Sequence, residues 1–178
     1  CTALLPRHAI DVVCAPENLR LGRAIDAFLH PDRVVAGTRV FRGRDRVAAL
    51  LAPFTSHIEW MSIESAELTK HALNAFLATS VAFANEVAAI SEYVGADALD
   101  VARGLRSDSR IGPRAYLAPG GAFAGGTLAR DVMFLAERAC AVRVPLQLIP
   151  AVRASNDAHR GWVLRRLQAA FGDLRGRL

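Results

Sequence analysis

From Ser62 to Val94 the chain runs without a glycine or a proline. Those two residues are the strongest breakers of a helix, and Ser62-Ile-Glu-Ser-Ala-Glu67 offers a capping start. The spacing predicts one helix over about 63–94, some 30 residues long and near 45 Å at a rise of about 1.5 Å per residue. Leu73, Phe76, Leu77, Val81, Val87 and Ile90 form its expected buried stripe, and alanines at 72, 75, 78, 82, 84, 88 and 89 leave little bulk elsewhere. Small side chains let another helix come close. A helix this long, apolar or small nearly all round, cannot be covered by a chain of 178 residues alone, so it should pack against a partner chain.

The segments on either side differ in texture. Ala9-Ile-Asp-Val-Val-Cys14 reads as a buried strand running into Pro16, followed by a loop to Gly22, a short helix over 23–29 and a second strand over 33–37. Helical spacing over 44–53 and an extended Ile58-Glu-Trp-Met61 complete a small αβ segment. Beyond the long helix, 96–105 reads as a short helix with Gly95 as its cap, 107–126 as irregular and glycine-rich, 127–142 as helix with Val132, Leu135 and Ala139 inward, and 149–172 as one or two further helices. The expected fold is mainly α, a helical domain preceded by the αβ segment. The chain opens at Cys1 with a strand already under way, so it reads as a piece of something longer.

Composition excludes several classes. With 52% apolar and 22% charged residues the chain can bury one core, and disorder, collagen and a disulfide scaffold are ruled out. The net charge of +5 is almost wholly arginine, but the arginines are scattered among acids except in the tail 160–177, so nucleic acid is not expected as a partner. Cys1, Cys14 and Cys140 have apolar neighbours and read as buried thiols in a reducing compartment, while the five histidines show no metal-ligand spacing. The best apolar run, 70–86, is broken by Asn74, Thr79, Ser80 and Asn85. A membrane is therefore not expected, and the location is expected to be cytoplasmic.

Two places could carry chemistry. Gly120-Gly-Ala-Phe-Ala-Gly125-Gly126-Thr127 has the glycine spacing of a phosphate-binding loop before a helix, but Gly126 stands where the loop's lysine would be. NTP hydrolysis is not expected; a loop bending closely around a ligand is, because glycines leave backbone N–H groups accessible. Lys70 and Asn74, spaced i,i+4, share one face of the long helix. They fit a Glu67–Lys70 surface pair with a polar neighbour, or a functional pair. Lys70 is the sole lysine of an arginine-using chain, and arginine would have served a plain salt bridge.

Pro16-Glu-Asn-Leu-Arg-Leu-Gly22, Pro31-Asp-Arg-Val-Val35, the run from Glu64 to Ala78, Asn85-Glu86, Val94-Gly-Ala-Asp97, Arg110-Ile-Gly112 and Gly125-Gly126 with Asp131 together resemble the UDP-glucose/GDP-mannose dehydrogenase family, in the family's order over nearly the whole chain. The resemblance implies the end of an NAD-binding Rossmann domain over 1–61, a central helical dimerisation domain over 62–160, and a helix over 161–178 leading to a C-terminal nucleotide-binding domain. It implies an enzyme that oxidises a nucleotide sugar's alcohol with NAD, bound mainly outside this chain, and that works as a homodimer. Carried over, Lys70 and Asn74 fall on the lysine and asparagine that stabilise oxyanion charge and hold a water, Asp131 on the family's aspartate, Glu17 on the first glutamate of the substrate loop, and Arg130 on the basic residue near the cofactor. Leu19, Arg110, Tyr116, Gly120 and Gly121 fall on substrate-binding positions, Arg110 reaching the partner subunit's sugar site.

The departures matter as much. The second loop glutamate is Leu21 here, and the cysteine-bearing GGSCFPKD segment reads Gly125-Gly-Thr-Leu-Ala-Arg-Asp131, without a thiol. An unactivated threonine hydroxyl is no substitute for a thiolate, so the covalent thiohemiacetal step should be lost, and Cys140 lies nine residues past Asp131. Two functions follow: a dehydrogenase working by single hydride transfer, or an inactive dimer-forming scaffold or regulatory relative.

Overall fold

The computed structural model describes residues 11–176 apart from 18, 20 and 21. The chain divides into two compact units, Cys1–Lys70 and His71–Leu178.

The first unit holds β1 (Val13–Cys14), α1 (Ala24–Leu29), β2 (Val34–Thr38), α2 (Arg44–Leu51) and β3 (Ile58–Met61). The sheet order is β1-β2-β3. The central β2 pairs antiparallel with β1 and parallel with β3, in a register running from Val34 opposite Ile58 to Gly37 opposite Met61. A parallel pair needs a crossover, and α2 supplies it. Val35, Ala36 and Thr38 are buried along β2. Of the expected first strand, Val13 and Cys14 are ordered as a half-buried β1, while Ala9 and Ile10 lie outside the described residues.

The long helix α3 spans Ile63–Val94, the range its sequence predicts. Ser62 caps it, its Oγ accepting the Ser65 N–H at 3.1 Å. Gly95, at φ +72°, stops it: the Ala96 N–H reaches back to the Ser91 carbonyl at 3.0 Å, the six-to-one bond that closes a helix through a left-handed residue. Gly95 therefore ends α3 and does not cap the next helix. That helix, α4 (Ala98–Ser107), is capped by Asp97, whose carboxylate accepts the N–H groups of Leu99 and Asp100.

In the second unit α3 packs with α5 (Thr127–Ala141) and α6 (Leu148–His159), and α7 (Trp162–Phe171) follows. The core joins Ala75, Ala78 and Ala82 of α3 to Val132 and Val152, with Phe123, Leu128, Leu135 and Ile149 packed against them. The buried face of α3 is thus its alanine face. Phe76, expected inward, is 67% exposed, and Ile90 is 62% exposed. An alanine seam lets α5 and α6 approach closely, while Leu73, Leu77, Val81 and Val87 of the expected stripe are half-buried. The cysteines also differ from expectation. Cys140 is exposed on α5, Cys14 is half-buried with its thiol pKa pushed up by burial and by Glu67, and Cys1 lies outside the described residues. Among the described residues α3 alone is long and apolar enough to cross a membrane. Core helices of soluble proteins pass the same test, and α3 buries Asn85 and Ser91, both hydrogen-bonded.

Candidate functional site

Asp131 sits in the second turn of α5 with its side chain only 1% exposed. An ionised carboxylate is costly to bury unless donors surround it, and His71 and Asn74 of α3 are among them. The Asn74 amide Nδ2 donates to Oδ2 of Asp131, and His71 Nδ1 donates to Oδ1 at 3.1 Å. His71 and Asn74 are three residues apart on α3, and so share the face turned to α5. Phe134, three residues after Asp131, stacks on the His71 ring with centroids 4.0 Å apart. The Arg130 Nε lies 3.7 Å from the same carboxylate, with its side chain 67% exposed. The half-buried Lys70 stands one turn before Asn74 on α3, as the i,i+4 spacing requires.

The glycine-rich loop is anchored by other side chains of the helices. Asn85 accepts the Gly120 N–H at 2.8 Å and donates to the Gly121 carbonyl, while His159 Nε2 donates to the Gly120 carbonyl at 2.8 Å. Asn156 takes both backbone groups of Phe123, at 2.8 and 3.0 Å. The Gly120 N–H, expected to be open to a ligand, is therefore occupied by Asn85. At Gly120, Gly121, Gly125 and Gly126 an added Cβ would meet nothing within 4 Å, and none of the four has positive φ. At Gly120, Gly121 and Gly125 neither the packing of this chain nor a positive φ calls for glycine, which leaves room for something outside the chain to approach closely.

Beside the loop a cleft of about 390 Å³ opens between Asn85, Glu92, His159 and Trp162. Its two acids are engaged: Glu92 accepts the Trp162 indole N–H at 3.0 Å and pairs with Arg166, and Asp97 caps α4.

The structure thus brings Asn74, Arg130 and Asp131 together and sets Gly120 and Gly121 on the anchored loop. Arg110 is exposed in the turn after α4 and forks onto Asp108, whose carboxyl its guanidinium and backbone N–H hold below the ordinary range. Tyr116 is 58% exposed in the loop. In the first unit the Glu17 carboxylate accepts the N–H of the exposed Leu19, and Leu21 lies outside the described residues. The sequence assigns no separate role to His71, Asn85, Asn156 or His159. The i,i+3 spacing of His71 and Asn74 was a usable signal; so was an asparagine set among alanines on a helix face.

The family model described as UDP-glucose/GDP-mannose dehydrogenase family, central domain, matches residues 64–158. The chain belongs to this family. Over 171 residues it is 38% identical to the UDP-glucose 6-dehydrogenase TuaD of Bacillus subtilis, covering 96% of this chain and 37% of that protein. The UDP-glucose 6-dehydrogenase of Rhizobium meliloti is 37% identical over 177 residues, with coverages of 96% and 40%. Among solved structures, a UDP-glucose dehydrogenase from the hyperthermophilic archaeon Pyrobaculum islandicum superposes with a TM-score of 0.87 at 30% identity, covering 93% of this chain and 38% of that one. The chain spans under half the length of the curated relatives it matches. Its family is one of nucleotide-sugar dehydrogenases, and the family match runs from the first turn of α3 to α6.

Proposed function

We propose that this chain is the central, dimerising and substrate-site part of an NAD-dependent dehydrogenase that oxidises a sugar alcohol of a UDP- or GDP-sugar. The observation that carries the reading is the buried Asp131 carboxylate, held by Asn74 one helical turn after the chain's only lysine.

Oxidation of an alcohol removes a hydride from carbon and a proton from oxygen. NAD supplies the hydride acceptor; among the described residues Arg130, with its exposed guanidinium beside Asp131, fits an anionic cofactor. The Lys70 ammonium and the Asn74 amide stabilise the alkoxide as the hydride leaves, and Asp131 holds the water or hydroxyl whose proton passes to solvent. On the same reading Glu17 belongs to the catalytic set, Leu19, Tyr116, Gly120 and Gly121 bind the nucleotide sugar, the two glycines because their backbone leaves space against the loop, and Arg110 reaches the sugar site of the partner subunit. Residues 1–61 close a Rossmann domain, 62–160 dimerise and 161–178 lead to a nucleotide-binding domain. A cytoplasmic location, where NAD and nucleotide sugars are available, belongs to the same reading.

The segment 125–131 holds no thiol, and Cys140 is displaced from Asp131 by nine residues of α5, about 13.5 Å along the axis. The aldehyde is therefore not captured covalently, and the reaction ends after one hydride transfer. The missing cysteine also supports a second reading, an inactive dimer-forming scaffold. The full-length protein, given NAD and a panel of UDP- and GDP-sugars, is expected to form one NADH per sugar oxidised, and Lys70→Ala to abolish it. Two NADH per sugar with a uronic acid as product would refute the single transfer, and no NADH with any sugar would leave the scaffold.

A further inference from the structure

We infer that His71 is a positioning residue for Asp131, fixing one carboxylate oxygen while Asn74 fixes the other. The inference rests on the functional reading above and deepens it. Asp131 Oδ1 receives the His71 Nδ1–H at 3.1 Å and Oδ2 receives the Asn74 amide. Donors on both oxygens set the carboxylate's rotation about its Cβ–Cγ bond, His71 from the Oδ1 side and Asn74 from the Oδ2 side.

The ring that donates is itself held. Its face lies against Phe134 at 4.0 Å and 26° from parallel, and its side chain is only 22% exposed. Phe134 and Asp131 are three residues apart on α5, as His71 and Asn74 are on α3, so one turn of each helix locks the other. Arg138 places its guanidinium 5.5 Å from the Phe134 ring. A histidine whose Nδ1 donates to a carboxylate has its neutral tautomer fixed, the proton on Nδ1 and the lone pair on Nε2. A phenylalanine at position 71 would keep a ring against Phe134 but could not hold Oδ1. The chemistry at this position is a directed N–H, and a displacement of the carboxylate by about 1 Å can cost up to about a hundredfold in rate.

The test uses the full-length protein. His71→Phe keeps an aromatic ring against Phe134 and removes the donor; kcat is expected to fall by about tenfold to a hundredfold with KM changed less than about twofold. His71→Asn, whose amide N–H can stand where Nδ1–H does, is expected to recover most of that loss. A His71→Phe enzyme with the wild-type kcat, or a His71→Asn enzyme no better than it, overturns the inference. Independently of turnover, 15N NMR of the neutral imidazole is expected to find the proton of His71 on Nδ1, and finding it on Nε2 also overturns it. Should the wild type be inert with every nucleotide sugar, the functional reading falls, and the tautomer alone decides whether His71 orients Asp131.

Discussion

At Gly37 an added methyl group would stand 2.7 Å from the Ile63 Cα and 2.8 Å from the Ser62 carbonyl oxygen. Backbone atoms cannot step aside as the tip of a side chain can, so Gly37→Ala is expected to destabilise by about 1–3 kcal/mol. At Gly121 the same methyl group meets nothing. Gly121→Ala is therefore expected to leave the melting temperature unchanged while weakening nucleotide-sugar binding by the full-length protein. Calorimetry of both variants with ligand titration checks this, and equal loss of stability at the two positions would contradict it. Single residues of the site were unevenly legible. Lys70 stood out as the lone lysine and Asn74 as a break in an apolar stripe, both properties of the sequence itself. For His71 the only local mark is its i,i+3 spacing to Asn74; its partner Asp131 is sixty positions away, so the pairing itself has no local signature.

The elements follow local chemistry wherever a local group decides them. Ser62 and Gly95 bound α3, and both signals are in the sequence. α4 starts at Ala98 rather than Ala96, because Gly95 closes α3 and the Asp97 carboxylate satisfies two of the orphan N–H groups of α4. The loop between α4 and α5 has no regular structure of its own; backbone turns bond it from Asp108 to Leu117, and at Gly120, Gly121 and Phe123 the backbone partners are side chains. Asn156, 3% exposed, bonds both the N–H and the carbonyl of Phe123. Asn156→Ala strands two partly buried backbone groups and is expected to cost about 1–3 kcal/mol, together with faster hydrogen exchange at the Phe123 amide. Unchanged exchange there would mean that the loop is held by other groups.

For the whole molecule the decisive feature is what α3 leaves uncovered. Phe76, Phe83 and Ile90 recur every seven residues, two helical turns, and are 67%, 47% and 62% exposed. A second copy is the partner that the proposed function assigns to this face. The 178-residue chain, of 19.1 kDa, is expected to sediment as a dimer, and Phe76→Glu with Phe83→Glu to give a monomer that keeps its helical circular dichroism. A wild-type monomer at micromolar concentration would sink the dimer.

The sequence by itself determined the long helix, its two ends, the order of the elements and the family, because capping, glycine placement and motif order are properties of neighbouring residues. Only the tertiary structure decided which face of α3 is buried. Both faces are apolar, and the choice of alanine over phenylalanine depends on how near α5 and α6 can come. It also decided that His71 joins Asp131 and that Asn85 takes the Gly120 N–H, since each pairing spans a distance along the chain that no local pattern reaches.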